Sequence, residues 1–170
     1  MRIWLDRLYE AAGWLAAVFM IGTLVFVLLG ILGRLLDFHV RGTDAYAGYC
    51  MAASGFLALA YTLRRNEHIR VTLLLSHLPR GAHKALEIWC HVIAVALAAI
   101  LAFYSVRLAW QSKTFNDIST GNDATPLGIP QLAMAAGTVI LLVAFVDALV
   151  AVLRDRAAPA TPAEEPAHVE

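Results

Sequence analysis

Residues 11–33 read AAGWLAAVFMIGTLVFVLLGILG, a run from Ala11 to Gly33 without one Asp, Glu, Lys or Arg. Coiled as an α-helix at about 1.5 Å per residue, it is about 34 Å long, enough to cross a hydrocarbon core of about 30 Å. Three further uncharged runs follow at Ala45–Leu63, Ile88–Val106 and Ala124–Val146. They are apolar all round, whereas the strands of a membrane barrel alternate polar and apolar residues. In lipid each backbone amide must find its partner within its own segment, so such runs have to be helices.

The composition agrees. Of the 170 residues, 60% are hydrophobic and 15% charged, against about 45–50% and about 25% in soluble domains. Mean hydropathy is +0.68. A soluble chain of this size buries only about 70% of its surface and has nowhere to hide so much apolar side chain. The 13 Lys and Arg balance 13 Asp and Glu, and a nucleic-acid binder would show a basic excess on one face. The first apolar run is longer than a secretory h-region and no small-x-small site follows it, which predicts an uncleaved anchor.

Trp4, Tyr9 and Trp14 flank the first run, Tyr46 and Tyr49 open the second, Tyr61 lies near its end, and Trp89 and Trp110 bracket the third. Amphipathic rings favour the headgroup layer, so this placement marks the span ends. The N-terminus (Arg2, Arg7), the middle loop (Arg64, Arg65, Arg70, Arg80, Lys84) and the C-terminus (Arg154, Arg156) hold nine basic residues. The other two loops hold four: Arg34, Arg41, Arg107 and Lys113. Nine against four puts both termini and the middle loop in the cytoplasm, with Arg34 the exception.

The middle loop opens Arg64-Arg65-Asn66-Glu67-His68-Ile69-Arg70, then turns apolar through Val71, Leu73, Leu74, Leu75 and Leu78 before Pro79. That stretch is too short to span. It reads as an amphipathic segment along the inner interface, basic side toward anionic headgroups. A solvated loop with stop-transfer charges is the alternative. The outer loop, Arg107–Asp123, is polar and closes in the turn cluster Ser119-Thr120-Gly121-Asn122-Asp123. Pro126 and Pro130 place the start of regular helix near Pro130, which leaves Asp147 near the inner headgroups. The expected fold is therefore an all-α integral membrane protein with four transmembrane helices at about 11–33, 45–63, 88–106 and 127–149. Both termini are cytoplasmic, an interfacial amphipathic segment joins helices 2 and 3, residues 1–156 form one domain, and the Ala/Pro/Glu-rich stretch 157–170 is a disordered tail.

Little chemistry is written into the spans. Ionisable groups inside a membrane are functional by default, and the four runs contain no acidic or basic residue besides His91, at interfacial depth. A wetted or internally satisfied histidine suits that depth better than a ligand. Haem would want paired histidines on facing helices, and His39, His68, His77, His83 and His168 fall outside the runs. Cys50 and Cys90 lack metal-ligand spacing. They also lie about 20 Å apart in depth, whereas a disulfide needs Cα atoms within about 7 Å; buried, inert thiols are expected. No phosphate-binding loop or nucleophile elbow is present. No catalytic residue, cofactor or metal is expected. Packing signals are stronger: Ala94, Ala98 and Ala102 recur every four residues, as do Ala133 and Gly137, and Gly48 and Ala52. Such spacing lets helices approach closely in lipid, though alanine is common throughout this chain.

The stretch Leu63-Arg64-Arg65-Asn66-Glu67-His68-Ile69-Arg70-Val71-Thr72-Leu73-Leu74, running on to Leu78-Pro79, resembles the small membrane subunit (DctQ-type) of tripartite ATP-independent periplasmic (TRAP) transporters. That family writes one or two basic residues, His-Ile-Arg/Lys-Val, and a leucine-rich segment ending in Leu-Pro. Leu127-Gly128-Ile129-Pro130 at the start of the last span is similar to a second family element. The resemblance covers about Arg2 to Arg154. It departs where members carry a Trp and paired acids before span two, here Gly42-Thr43-Asp44-Ala45-Tyr46, and where an aromatic follows the proline, here Leu132-Ala133.

The resemblance implies a non-catalytic subunit that braces a large multi-span membrane subunit holding the substrate and ion sites. A periplasmic substrate-binding protein would deliver an organic acid, often a carboxylate. Arg64, Arg65, His68 and Arg70 would hold the inner segment to phospholipids and partner. Asp44 would meet the binding protein outside, unless it is simply a helix N-cap. The competing function is a stand-alone, homo-oligomeric small transporter, weakened by the want of a membrane-embedded carboxylate.

Overall fold

The computed structural model describes residues 2–38, 40–65, 80–121 and 123–154. They form four helices: α1 (Arg2–Leu35), α2 (Thr43–Arg64), α3 (Arg80–Thr114) and α4 (Gly128–Leu153). The one β-type pairing among the described residues is an isolated antiparallel bridge between Ile118 and Pro126. Among the described residues the regular structure is all-helical. The segment 66–79, with its apolar run, and the tail beyond Arg154 lie outside the described residues.

Three stretches are long and apolar enough to cross a membrane: Trp4–Leu35, Ala85–Thr114 and Gly128–Leu153. Helix α2 is shorter, 22 residues or about 33 Å, which is still the thickness of a hydrocarbon core. Its apolar character is diluted by Tyr46, Tyr49, Ser54, Tyr61 and Thr62.

Helix α1 packs on α2, α2 on α4, and α4 on α3, while the remaining pairs touch only marginally. The helices therefore form an open row, α1–α2–α4–α3. An end helix of a row needs one packing side, and α1 buries Tyr9, Ala12 and Ala16 while Leu15, Val18, Ile21 and Leu24 stay exposed. It crosses α2 antiparallel: Gly13 lies against the Tyr61 ring, Gly22 against Cys50 Sγ and Gly30 against Thr43. Helix α2, inside the row, buries residues toward both neighbours, among them Ala47, Ala53, Leu57 and Ala60. At the crossing of α2 and α4 a Cβ on Gly137 would stand 2.6 Å from the Phe56 carbonyl, so only glycine allows this approach.

Two expectations need correction. The outer loop does not begin at Arg107, because α3 continues to Thr114. Its buried seam of small residues, Ala98, Ala102, Ser105, Ala109 and Ser112, keeps its spacing past the end of the apolar run, and Lys113 abuts Gly128 at the start of α4. Packing against α4, and not hydropathy, decides where α3 stops. The thiols are also less hidden than expected: Cys50 is half-buried and Cys90 is exposed. With only α4 beside it, α3 leaves most of its circumference open.

Candidate functional site

The polar features gather at the two ends of the row. At one end Arg64, the last residue of α2, directs Nε and Nη2 at Asp6 Oδ1 of α1, 3.1 and 2.8 Å away. Its Nη1 lies 3.7 Å from Asp147 Oδ2 of α4, an ion pair too long for a hydrogen bond. Arg64 and Asp6 are nearly half exposed and Asp147 a quarter, so each pair on its own contributes about 0.2–1 kcal/mol. Beneath them Tyr9, Ala60 and Ala144 form a buried cluster with Leu5, Leu63 and Ile140 against it. Tyr9 is 1% exposed, and among the described residues its hydroxyl has no hydrogen-bond partner. Such a group costs about 1–3 kcal/mol when left unpaired.

Arg65 is exposed and its guanidinium sits 5.2 Å from the centroid of the Tyr61 ring. His68 and Arg70, predicted beside these arginines, lie outside the described residues. His91 turns Nδ1 toward the Glu87 carbonyl at 2.8 Å, an internal contact one helical turn away.

At the opposite end Asp123 is the hub. It accepts hydrogen bonds from Tyr49 Oη at 3.0 Å and Ser119 Oγ at 2.8 Å. Thr125 Oγ1 lies 3.3 Å from the Tyr46 hydroxyl, and Tyr46 stacks on Phe26 of α1 with 5.4 Å between ring centroids. Desolvation pushes the Asp123 carboxyl upward, but hydrogen bonds from Thr125, Ser119, its own backbone and Tyr49 outweigh it and hold the pKa at about 2. The loop itself is pinned by Ser119 N–H to the Thr125 carbonyl and Leu127 N–H to the Asp117 carbonyl, both 2.9 Å. Against it rests Gly42, with φ of 79°, where a Cβ would come within 2.7 Å of Asp123 Cβ. Only glycine meets both demands.

Gly42 is also the N-cap of α2, and no side chain caps this helix. The N-cap reading of Asp44 is thereby corrected: Asp44 stands in the first turn, where a carboxylate complements the helix dipole. It pairs loosely with Arg34 at 3.8 Å, both side chains more than four-fifths exposed. The two line a recess of about 570 Å³ with Gly30, Gly33, Phe38 and Thr43. Of the predicted packing residues Ala98, Ala102 and Gly137 are buried, and Ala94 and Ala133 half-buried. Gly48 and Ala52 are exposed, facing away from both neighbours of α2.

Sequence reasoning missed Asp6 and Asp147 as partners of Arg64, and Asp123 with Tyr49. The first carried a faint signal, since an ionisable group near a span end calls for a counter-charge. The second had none beyond a turn-forming composition.

No group of three or more His, Cys, Asp or Glu among the described residues is placed to hold a metal ion. What the chain offers is long apolar helices clasped at both ends. The family model described as tripartite ATP-independent periplasmic transporters, DctQ component, matches residues 23–155. The chain belongs to the DctQ family. No curated protein matches it. The match takes in α2, α3, α4 and the latter part of α1, so Arg64, Asp123 and Asp147 fall inside it, whereas Asp6 and Tyr9 precede it. A DctQ protein is a transporter component, and the apolar helices of this one suit a multi-pass subunit of the inner membrane.

Proposed function

We propose that this DctQ protein is the non-catalytic small subunit that braces the large, ion-coupled membrane subunit of its transporter during uptake of an organic acid. The acid is a carboxylate delivered by a periplasmic binding protein. The observation that carries this reading is the contrast between the ends and the middle of the row. The stretches 11–33, 45–63, 92–106 and 128–146 contain no Asp, Glu, Lys, Arg or His, while α2 is tied to neighbouring elements through Arg64 at one end and Tyr49 at the other. Such a body has no group with which to carry an ion across the bilayer; stiffness is what it can contribute.

In this reading α2 is a fourth span, its tyrosines and small residues shielded by α1 and α4. The distribution of Lys and Arg sets the Arg64 end, both termini and the segment 66–79 on the cytoplasmic side. Arg65, His68 and Arg70 meet phospholipid headgroups or the large subunit there, each exposed arginine contributing about 1 kcal/mol near an anionic surface. Asp44 and the recess beside it face the periplasm, where the binding protein docks. Ala94, Ala98, Ala102, Ala133 and Gly137 hold the row together.

Co-purification tests this. Tagged protein taken gently from native membranes is expected to bring a stoichiometric, much larger multi-span protein, and deletion of the chain to abolish uptake of the organic acid. A lone chain or homodimer that carries out transport in liposomes overturns the proposal.

A further inference from the structure

We propose that Asp6, Arg64 and Asp147 form one electrostatic latch that locks α1, α2 and α4 together, so that of the two adjacent arginines only Arg65 is available to a membrane surface or a partner. The two carboxylates come from the two helices that flank α2 in the row. Arg64 uses both sides of its fork, Nε and Nη2 on Asp6 and Nη1 toward Asp147.

What lies beneath supports the assignment. Tyr9 is one turn into the helix from Asp6, Ala60 one turn from Arg64, and Ala144 one turn from Asp147, and these three form the buried cluster. Each latch residue therefore stands directly over a core residue of its own helix, and a shift of any of the three helices would break both layers together. Two carboxylates and one guanidinium leave a net charge of −1, so the cluster has no positive charge to spare for an anionic headgroup. Arg65, next in sequence, is exposed and sits over the Tyr61 ring.

The orientation toward the membrane surface rests on the reading above, but the latch is measured on the full chain alone and stands or falls independently of the bracing role. In non-ionic detergent, Arg64→Gln is expected to lower Tm by roughly 2–4 °C, the shift of about 1 kcal/mol in a chain of this size. Asp6→Asn lowers it as well, and adds less than half of its own effect once Arg64 is Gln, because the contact is already gone. Arg64→Lys, which keeps a positive charge between the two carboxylates, retains part of the stability that Arg64→Gln loses. Added phosphatidylglycerol raises Tm equally in wild type and Arg64→Gln, and raises it less in Arg65→Gln. Additive effects of the two neutral substitutions overturn the latch, as does an Arg64→Gln protein that melts like wild type yet loses its response to phosphatidylglycerol. Should Arg64→Gln fail to fold, Arg64→Lys decides, since it keeps a positive charge between Asp6 and Asp147: a folded protein supports the latch, and a second failure overturns it.

Discussion

Gly137 of α4 lies so close to Phe56 of α2 that a Cβ added to it would stand 2.6 Å from both the carbonyl carbon and the carbonyl oxygen of Phe56. The obstacle is backbone, which cannot rotate aside as a side chain can. This close approach sits between the two central helices of the row.

Gly137→Ala is therefore expected to force α2 and α4 apart and to destabilise the chain by about 1–3 kcal/mol, the usual cost of overpacking. Gly48→Ala is the control, since a Cβ there meets nothing within 4 Å. Thermal melts of the two variants in one detergent should separate clearly. Equal melts would mean that the row does not pack at Gly137 as described.

The seam between α3 and α4 makes a similar demand. Ala98 is 5% exposed, whereas Ala96, on the same helix, faces outward. Ala98→Leu should cost about 1–3 kcal/mol and reduce the amount of folded protein recovered, and Ala96→Leu should behave as wild type in size-exclusion and melting experiments.

Asp123 predicts an acid limb to stability. Its carboxyl titrates at about 2 in the folded chain, below the ordinary value of about 3.9 for an unfolded aspartate. A depressed pKa stabilises fully above the unfolded value, and that contribution is lost as pH falls from about 4 to about 2. Melts of wild type should thus lose stability across this window, and Asp123→Asn should reduce that loss while lowering Tm at neutral pH. Tyr49→Phe, which removes one of the donors, should shift the acid limb upward in pH.

Asp44 and Arg34 form a pair too exposed and too long to matter for folding. Asp44→Asn should leave the melting curve unchanged. If Asp44 meets the binding protein, the same variant lowers uptake in intact cells when binding protein is limiting. Unchanged uptake would remove Asp44 from the docking surface.

The all-helical character was legible in the sequence because a segment without charge, apolar on every side, has one structural solution in lipid. The likeness of Leu63–Leu74 and Leu127–Pro130 to the DctQ pattern was legible too, being carried by short contiguous motifs. The end of α3 was not. Arg107 and Lys113 look like a loop by hydropathy, yet Ser105, Ala109 and Ser112 continue the packing seam, and a seam is recognisable only when the surface it fits is known. The buried position of Ala98 and the open position of Ala52 were equally indistinct, since both are alanines at four-residue spacing in apolar helices.

The sequence by itself determined the helices, their apolar middles and the family, because each depends on residues close together in the chain. Tertiary structure alone decided the order α1–α2–α4–α3, the glycine that touches Phe56, and the partners of the two hubs. Arg64 meets Asp6 across 58 positions and Tyr49 meets Asp123 across 74. Where every face of a helix is apolar, periodicity no longer says which face meets a neighbour, and only the fit of one helix surface to another selects the contacts.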